Sequence, residues 1–143
     1  MSEEMKKTNW KVENMRLQAN GLFEINDIFC KGLIANAKSE ILKGANKSVI
    51  IENAQNNFDK FHNFLIHSCD NMRSTAEQIF YQDQRAFGED DGYLPHFNDV
   101  NKSIFKVKEK LLHDYTETRT SITETLEHAK KIPSRNIFKK ENL

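Results

Sequence analysis

The sequence predicts an all-α fold, an elongated antiparallel bundle of three long amphipathic helices completed by oligomerisation, and three observations carry that prediction. The 143 residues include only 5 Gly and 2 Pro, and the aromatics are dominated by Phe (10, against 3 Tyr and 1 Trp), a composition that suits helices better than a turn-rich sheet. Apolar residues recur at three- and four-residue steps along three stretches, the spacing that places them on one helix face. Two clusters of turn-forming residues separate those stretches.

The first helix is expected over about residues 9–43. It carries one apolar stripe at Val12, Met15, Ala19, Leu22, Phe29 and Leu33 and a second at Phe23, Ile25, Ile28, Ile34, Ala37 and Ile41. One stripe is enough to bury one face. Two give the middle of the helix an unusually wide apolar arc, which needs neighbours on two sides or a non-protein apolar surface. Leu22, Phe23, Ile25, Ile28 and Phe29 are the residues expected to make that second contact. Gly21 and Gly32 lie inside the pattern, where each costs about 1 kcal/mol relative to alanine.

Gly44-Ala45-Asn46-Lys47-Ser48 ends this pattern, with Gly44 placed to close the helix and Asn46 or Ser48 to cap the next one. The second helix is expected over about residues 49–87. Its positions Ile51, Ala54, Phe58, Phe61, Leu65, Met72 and Ile79 form a coiled-coil-like seam, broken at Ser68 and Thr75. Gly88-Glu89-Asp90-Asp91-Gly92-Tyr93-Leu94-Pro95 reads as a solvated loop, without the alternating ligands and closing Glu of a calcium-binding loop.

The third helix is expected over about residues 98–131, stopped by Pro133. Its seam runs through Val100, Ile104, Val107, Leu111, Tyr115, Thr118, Ile122, Thr125, Ala129 and Ile132, with the two threonines diluting its second half. Residues 1–132 make one helical domain, and residues 133–143, basic with interspersed Ile137 and Phe138, make a flexible tail. Helices of this size run about 50 to 58 Å at 1.5 Å per residue. Three such rods bury little against one another, so a homo-oligomer is expected, assembled on the seam residues Ile51 to Ile79 above together with Ile104, Val107 and Leu111.

Charge excludes some functions. Lys+Arg and Asp+Glu both number 21, so no net field draws the chain to nucleic acid, and basic residues alternate with acids along the helices. The balance is uneven by thirds: residues 1–44 hold 7 basic and 6 acidic groups, residues 45–94 hold 4 and 8, and residues 95–143 hold 10 and 7. That distribution suits packing of the middle third against the last. No window approaches the roughly 20 apolar residues of a membrane span, and the N-terminus lacks the apolar run of a signal peptide, so the chain is expected in the cytoplasm.

Catalytic patterns are not evident. Of the five histidines only His62 follows a carboxylate at the spacing of a di-iron bundle, in Asp59-Lys60-Phe61-His62, and that template needs two such motifs. Cys30 and Cys69 have no CxxC spacing and read as buried reduced thiols. No glycine-rich phosphate loop or nucleophile elbow occurs. The expectation is therefore a non-enzyme with no cofactor and no metal. Phe23, Phe64, Phe80 and Phe105 fall off the main seams and widen the apolar surface.

The stretch Ile41-Leu42-Lys43-Gly44-Ala45-Asn46-Lys47-Ser48, followed by Glu52, Gln55, Phe58, Asp59 and Phe61, resembles the helix break and following helix of phasins, the proteins that coat polyhydroxyalkanoate storage granules in bacteria. The likeness covers about residues 15–80, and it departs from the family in Val49, where proline is common, and in using Asn, Lys and Ile where phasins are rich in Ala. It implies a non-catalytic coat, with amphipathic helices lying on the hydrophobic polymer of the granule surface and recruiting other proteins. The alternative is a cytoplasmic helical adaptor or chaperone that binds a protein partner through its coiled-coil-like seams.

Overall fold

The computed structural model describes residues 3–87 and 93–130. It is an all-α bundle of three helices: α1 (Glu3–Leu42), α2 (Lys47–Phe87) and α3 (Tyr93–Glu127). Three boundaries differ by more than one turn from those expected. α1 begins about two turns before Asn9, because nothing between Glu3 and Asn9 breaks a helix and the acid Glu3 suits the positive end of its dipole. α3 begins at Tyr93, so Tyr93, Leu94 and Pro95 belong to a helix and not to the loop expected for them. Pro95 is tolerated there because its missing N–H falls among the first amides, which have no acceptor within the helix. α3 stops at Glu127, four residues short of the predicted end, and beyond it Ala129 N donates to Leu126 O at 3.1 Å in a tightened final turn. Residues 88–92 of the expected loop, Ile132, and the expected tail 133–143 lie outside the described residues.

The domain expected over residues 1–132 divides into two compact units, Met1–Asp27 with Phe61–Tyr115, and Ile28–Lys60 with Thr116–Leu143. In the first unit, Val12, Ala19 and Leu22 of α1 pack with Leu65, Cys69, Ala76 and Phe80 of α2 and with Phe97, Val100, Ile104, Val107 and Leu111 of α3. The seam of α2 does not break at Ser68 and Thr75. Its three- and four-residue steps pass instead through Cys69 and Ala76, both fully buried. The Phe80 ring stacks on Phe97 at 4.5 Å, a contact that contributes about 0.5–1.5 kcal/mol beyond the burial of its area.

Polar rungs fix helix direction in this unit. Lys108 holds Asp70 at 2.8 Å, and Arg73 donates to Asn101 at 3.1 Å while its guanidinium lies 4.7 Å above the Phe105 ring. Partner numbers fall on α3 as they rise on α2, so these helices are antiparallel. Arg16 reaches Asp99 at 3.4 Å and Glu13 lies 3.6 Å from His96, which sets α1 parallel to α3.

In the second unit the α1–α2 turn is built from its own sequence. Gly44 adopts φ 108°, a conformation that only glycine takes without steric cost, and the amides of Gly44 and Ala45 donate to Ile41 O and Glu40 O at 3.0 Å. Those bonds satisfy two carbonyls left over at the end of α1. Asn46 then caps α2, its Oδ1 accepting from Val49 N at 3.2 Å. α2 and α3 are tied by Lys47 to Glu127 O (2.9 Å), Gln55 to Thr123 (3.0 Å) and the two-pronged Arg119 to Asp59 contact (3.0 and 3.3 Å). The α3 seam ends Ile122, Leu126, Ala129, all buried. Thr125 leaves the core and returns its hydroxyl to Ser121 O.

Candidate functional site

α1 is apolar on two faces. At about 100° per residue, Val12 and Ala19, both fully buried in the first unit, stand opposite Trp10 and Leu17, which are 69% and 60% exposed. Gly21 lies one turn beyond Leu17, and Ile25, 47% exposed, one turn further. The four share a face that no side chain of the unit's core needs. In the second unit α1 also leaves Ile28 63% exposed. Single exposed apolar residues need no explanation, and Phe64, Tyr81 and Val49 are of that kind. A run of them on one helix face does.

The sequence placed this face only in part. Ile25 and Ile28 are exposed, Leu22 is buried, Phe23 is partly buried against the core, and Phe29 is half-buried. Of the two stripes read along α1, the first holds only buried and half-buried positions, and the second mixes exposed Ile25 and Ile28 with buried Ala37 and Ile41. Trp10 and Leu17 were missed, although the seven-residue step between them, followed at four-residue steps by Gly21 and Ile25, is a helix-face pattern in its own right. Of the off-seam phenylalanines, Phe64 and Phe105 are exposed, Phe80 is buried and Phe23 is partly so.

The seam residues close the chain's own core. Ile51, Ala54 and Phe58 are buried in the second unit, and Leu65, Ile104, Val107 and Leu111 in the first, where Phe61, Met72 and Ile79 pack around them. These seven are buried within the bundle that one chain makes. Among the described residues there is no group of three or more His, Cys, Asp or Glu that could hold a metal ion. Asp59 and His62, the one metal-like spacing, have separate partners, Asp59 pairing with Arg119 and the buried His62 ring lying 4.6 Å from Tyr115.

The chain matches no protein-family model, no curated protein and no solved structure.

The remaining polar cluster sits inside the first unit. Glu13 pairs with Arg16 through Oε1, while its buried Oε2 and the buried His96 Nε2 stand 3.6 Å apart without a hydrogen bond. It anchors the N-terminal half of α1 to the start of α3. Two open concavities of about 470 and 480 Å³ lie in the second unit, one lined by the turn from Gly44 to Ser48 with Ile41 and Lys130, the other by Ala35, Lys38, Ser39, Leu42 and Lys43. Their linings hold amines, amides and hydroxyls but no paired acid and base. No described helix is long and apolar enough to cross a membrane.

Gly32, on α1 in the second unit, has nothing within 4 Å of the position a Cβ would take. Gly32→Ala is therefore expected to raise stability by about 0.4–1 kcal/mol, by restricting the unfolded chain, and a rise of a few degrees in Tm by circular dichroism checks it. A fall would mean that the glycine serves a bend or contact the chain alone does not show.

Proposed function

We propose that this is a non-catalytic helical protein that binds apolar surfaces and assembles on them, with a polyhydroxyalkanoate granule in the bacterial cytoplasm as the surface implied by the phasin-like residues 41–61. The observation that carries the proposal is the outward face of α1, where Trp10 and Leu17 are 69% and 60% exposed opposite buried Val12 and Ala19. A helix with a second apolar face gains free energy when that face leaves water. Full burial of a large apolar side chain is worth about 1.5–3 kcal/mol, so a few such residues can hold a folded bundle on a hydrophobic polymer while its own core stays closed. Exposed Lys7 and Lys11 flank the face, and lysines so placed can cover apolar surface with their stems while their charged ends stay in water.

The test is retention of the purified chain on polyhydroxybutyrate particles, with hydrophilic beads as control. The triple variant Trp10→Ser, Leu17→Ser, Ile25→Ser is expected to lose retention by at least tenfold and keep its helical signal, while Leu112→Ser on α3 leaves retention unchanged. A triple variant retained like the parent, or a folded parent that is not retained, sinks the proposal. In the second case the adaptor class takes its place, with the same α1 face as the surface on which to seek a protein partner.

A further inference from the structure

The outward face of α1 in the first unit has a shape and charge pattern that complement themselves. Its strip between Trp10 and Ile25 contains no charge at the central positions Trp10, Leu17, Gly21 and Ile25. Gly21 is helical, has nothing within 4 Å of where a Cβ would stand, and so is required by no contact within the chain. Glycine there costs about 1 kcal/mol against alanine, and what it provides is a recess beside Ile25 on an exposed face. Trp10, 69% exposed, is the large side chain that matches it. Trp10 and Ile25 stand at nearly equal distances in sequence either side of Leu17. Reversing the helix therefore lays each Trp10 over the other's Gly21 and Ile25, with Leu17 at the centre.

Charge selects the same direction. Exposed Lys6, Lys7 and Lys11 lie at one end of the strip and exposed Glu24 at the other. Lys6 also has Glu3 at 3.6 Å, which leaves it only partly neutralised. Parallel pairing gathers the lysines of both copies at one end. In an antiparallel two-fold pair each flank meets its own counterpart, which brings Lys6 of one copy towards Glu24 of the other, as an isologous contact requires.

The geometry points to a second copy of this chain as the occupant of this face in solution, packed antiparallel over residues 6–27, an inference that rests on the outward α1 face being an assembly face. A hydrophobic polymer would displace that second copy and take the same residues.

Sedimentation velocity of the full chain without polymer tests it. The parent is expected as a dimer at micromolar concentration. Leu17→Asp, at a site 60% exposed and so compatible with folding, should weaken the dimer on the order of 30-fold or more, as loss of a central contact residue does. Gly21→Ala should raise the melting temperature of the monomer yet weaken the dimer, two changes of opposite sign that a merely structural glycine would not give. Lys6→Glu alone and Glu24→Lys alone should each weaken association, and mixing the two proteins should restore it. A monomeric parent, a dimer indifferent to Leu17→Asp, or a mixture that fails to recover overturns the pairing. A monomeric parent still retained on polymer particles overturns the pairing alone, whereas a dimer that is not retained overturns the granule assignment and leaves the pairing standing.

Discussion

Leu65→Asp is expected to abolish the folded bundle, so that the far-ultraviolet helical signal at 25 °C is lost and no cooperative melt remains. Leu65 is fully buried in the core of the first unit, among residues of all three helices. Truncating such a leucine to alanine already costs about 2–5 kcal/mol. Aspartate puts a carboxylate among the apolar side chains of that core, and either the charge or the proton needed to remove it is then paid for by the fold. Against a total stability of about 5–15 kcal/mol for a domain, the sum leaves no folded population worth measuring. Leu17→Asp, on the outward face of α1, is the matched control and should stay helical. Survival of a cooperative Leu65→Asp melt would mean that the three-helix core does not hold the chain together.

The contrast between those two leucines also marks what could be read from residue spacing. The inward faces of α2 and α3 were legible because each helix has one apolar face there: Ile51, Phe58, Leu65, Ile104 and Leu111 recur at regular steps and all are buried. Two gaps in the pattern were artefacts of weighting by hydrophobicity. Small Cys69 and Ala76 fill the core where Ser68 and Thr75 seemed to interrupt it, since a close-packed seam needs small residues as well as large ones. The turn was legible in chemical detail, Gly44 for its positive φ and Asn46 for its cap.

α1 was not legible in the same way. A helix with apolar residues on opposite faces gives two overlapping series, and periodicity alone cannot assign Leu22 to the core and Ile25 to the outside. Tertiary packing makes that choice: Leu22 meets the core while Ile25 is 47% exposed. Trp10 and Leu17 escaped because no neighbouring apolar residue joined them into a dense run, although their seven-residue spacing is that of a helix face. The start of α3 escaped for a different reason, since Pro95 reads as a breaker until it is placed in the first turn. Nor could spacing foresee the rungs Asp70 to Lys108 and Asp59 to Arg119, which join residues far apart in the chain and depend on the α2–α3 register.

Cys69 should be the slowest-reacting thiol on the folded chain. Burial, with a smaller contribution from the Asp70 carboxylate, pushes its pKa from 9.0 to about 11, and Lys108, which holds Asp70 at 2.8 Å, opposes the shift only in part. Because the thiolate is the reactive form, a rise of this size cuts its population at pH 8 by roughly 100-fold. Iodoacetamide labelling of a Cys30→Ala variant at pH 8 is therefore expected to run about 100-fold or more slower in the native chain than in urea. The sign of the linked stability follows from the same shift. The folded pKa lies above the unfolded one, so the contribution is present in full below pH 9 and is lost as pH rises towards 11. Denaturant midpoints should accordingly fall over that interval by more in the parent than in Cys69→Ala. Rapid native labelling would show instead a thiol that ionises within the fold, and Cys69 would then have to be considered as a nucleophile rather than as a small residue that fills the seam between Leu65 and Met72.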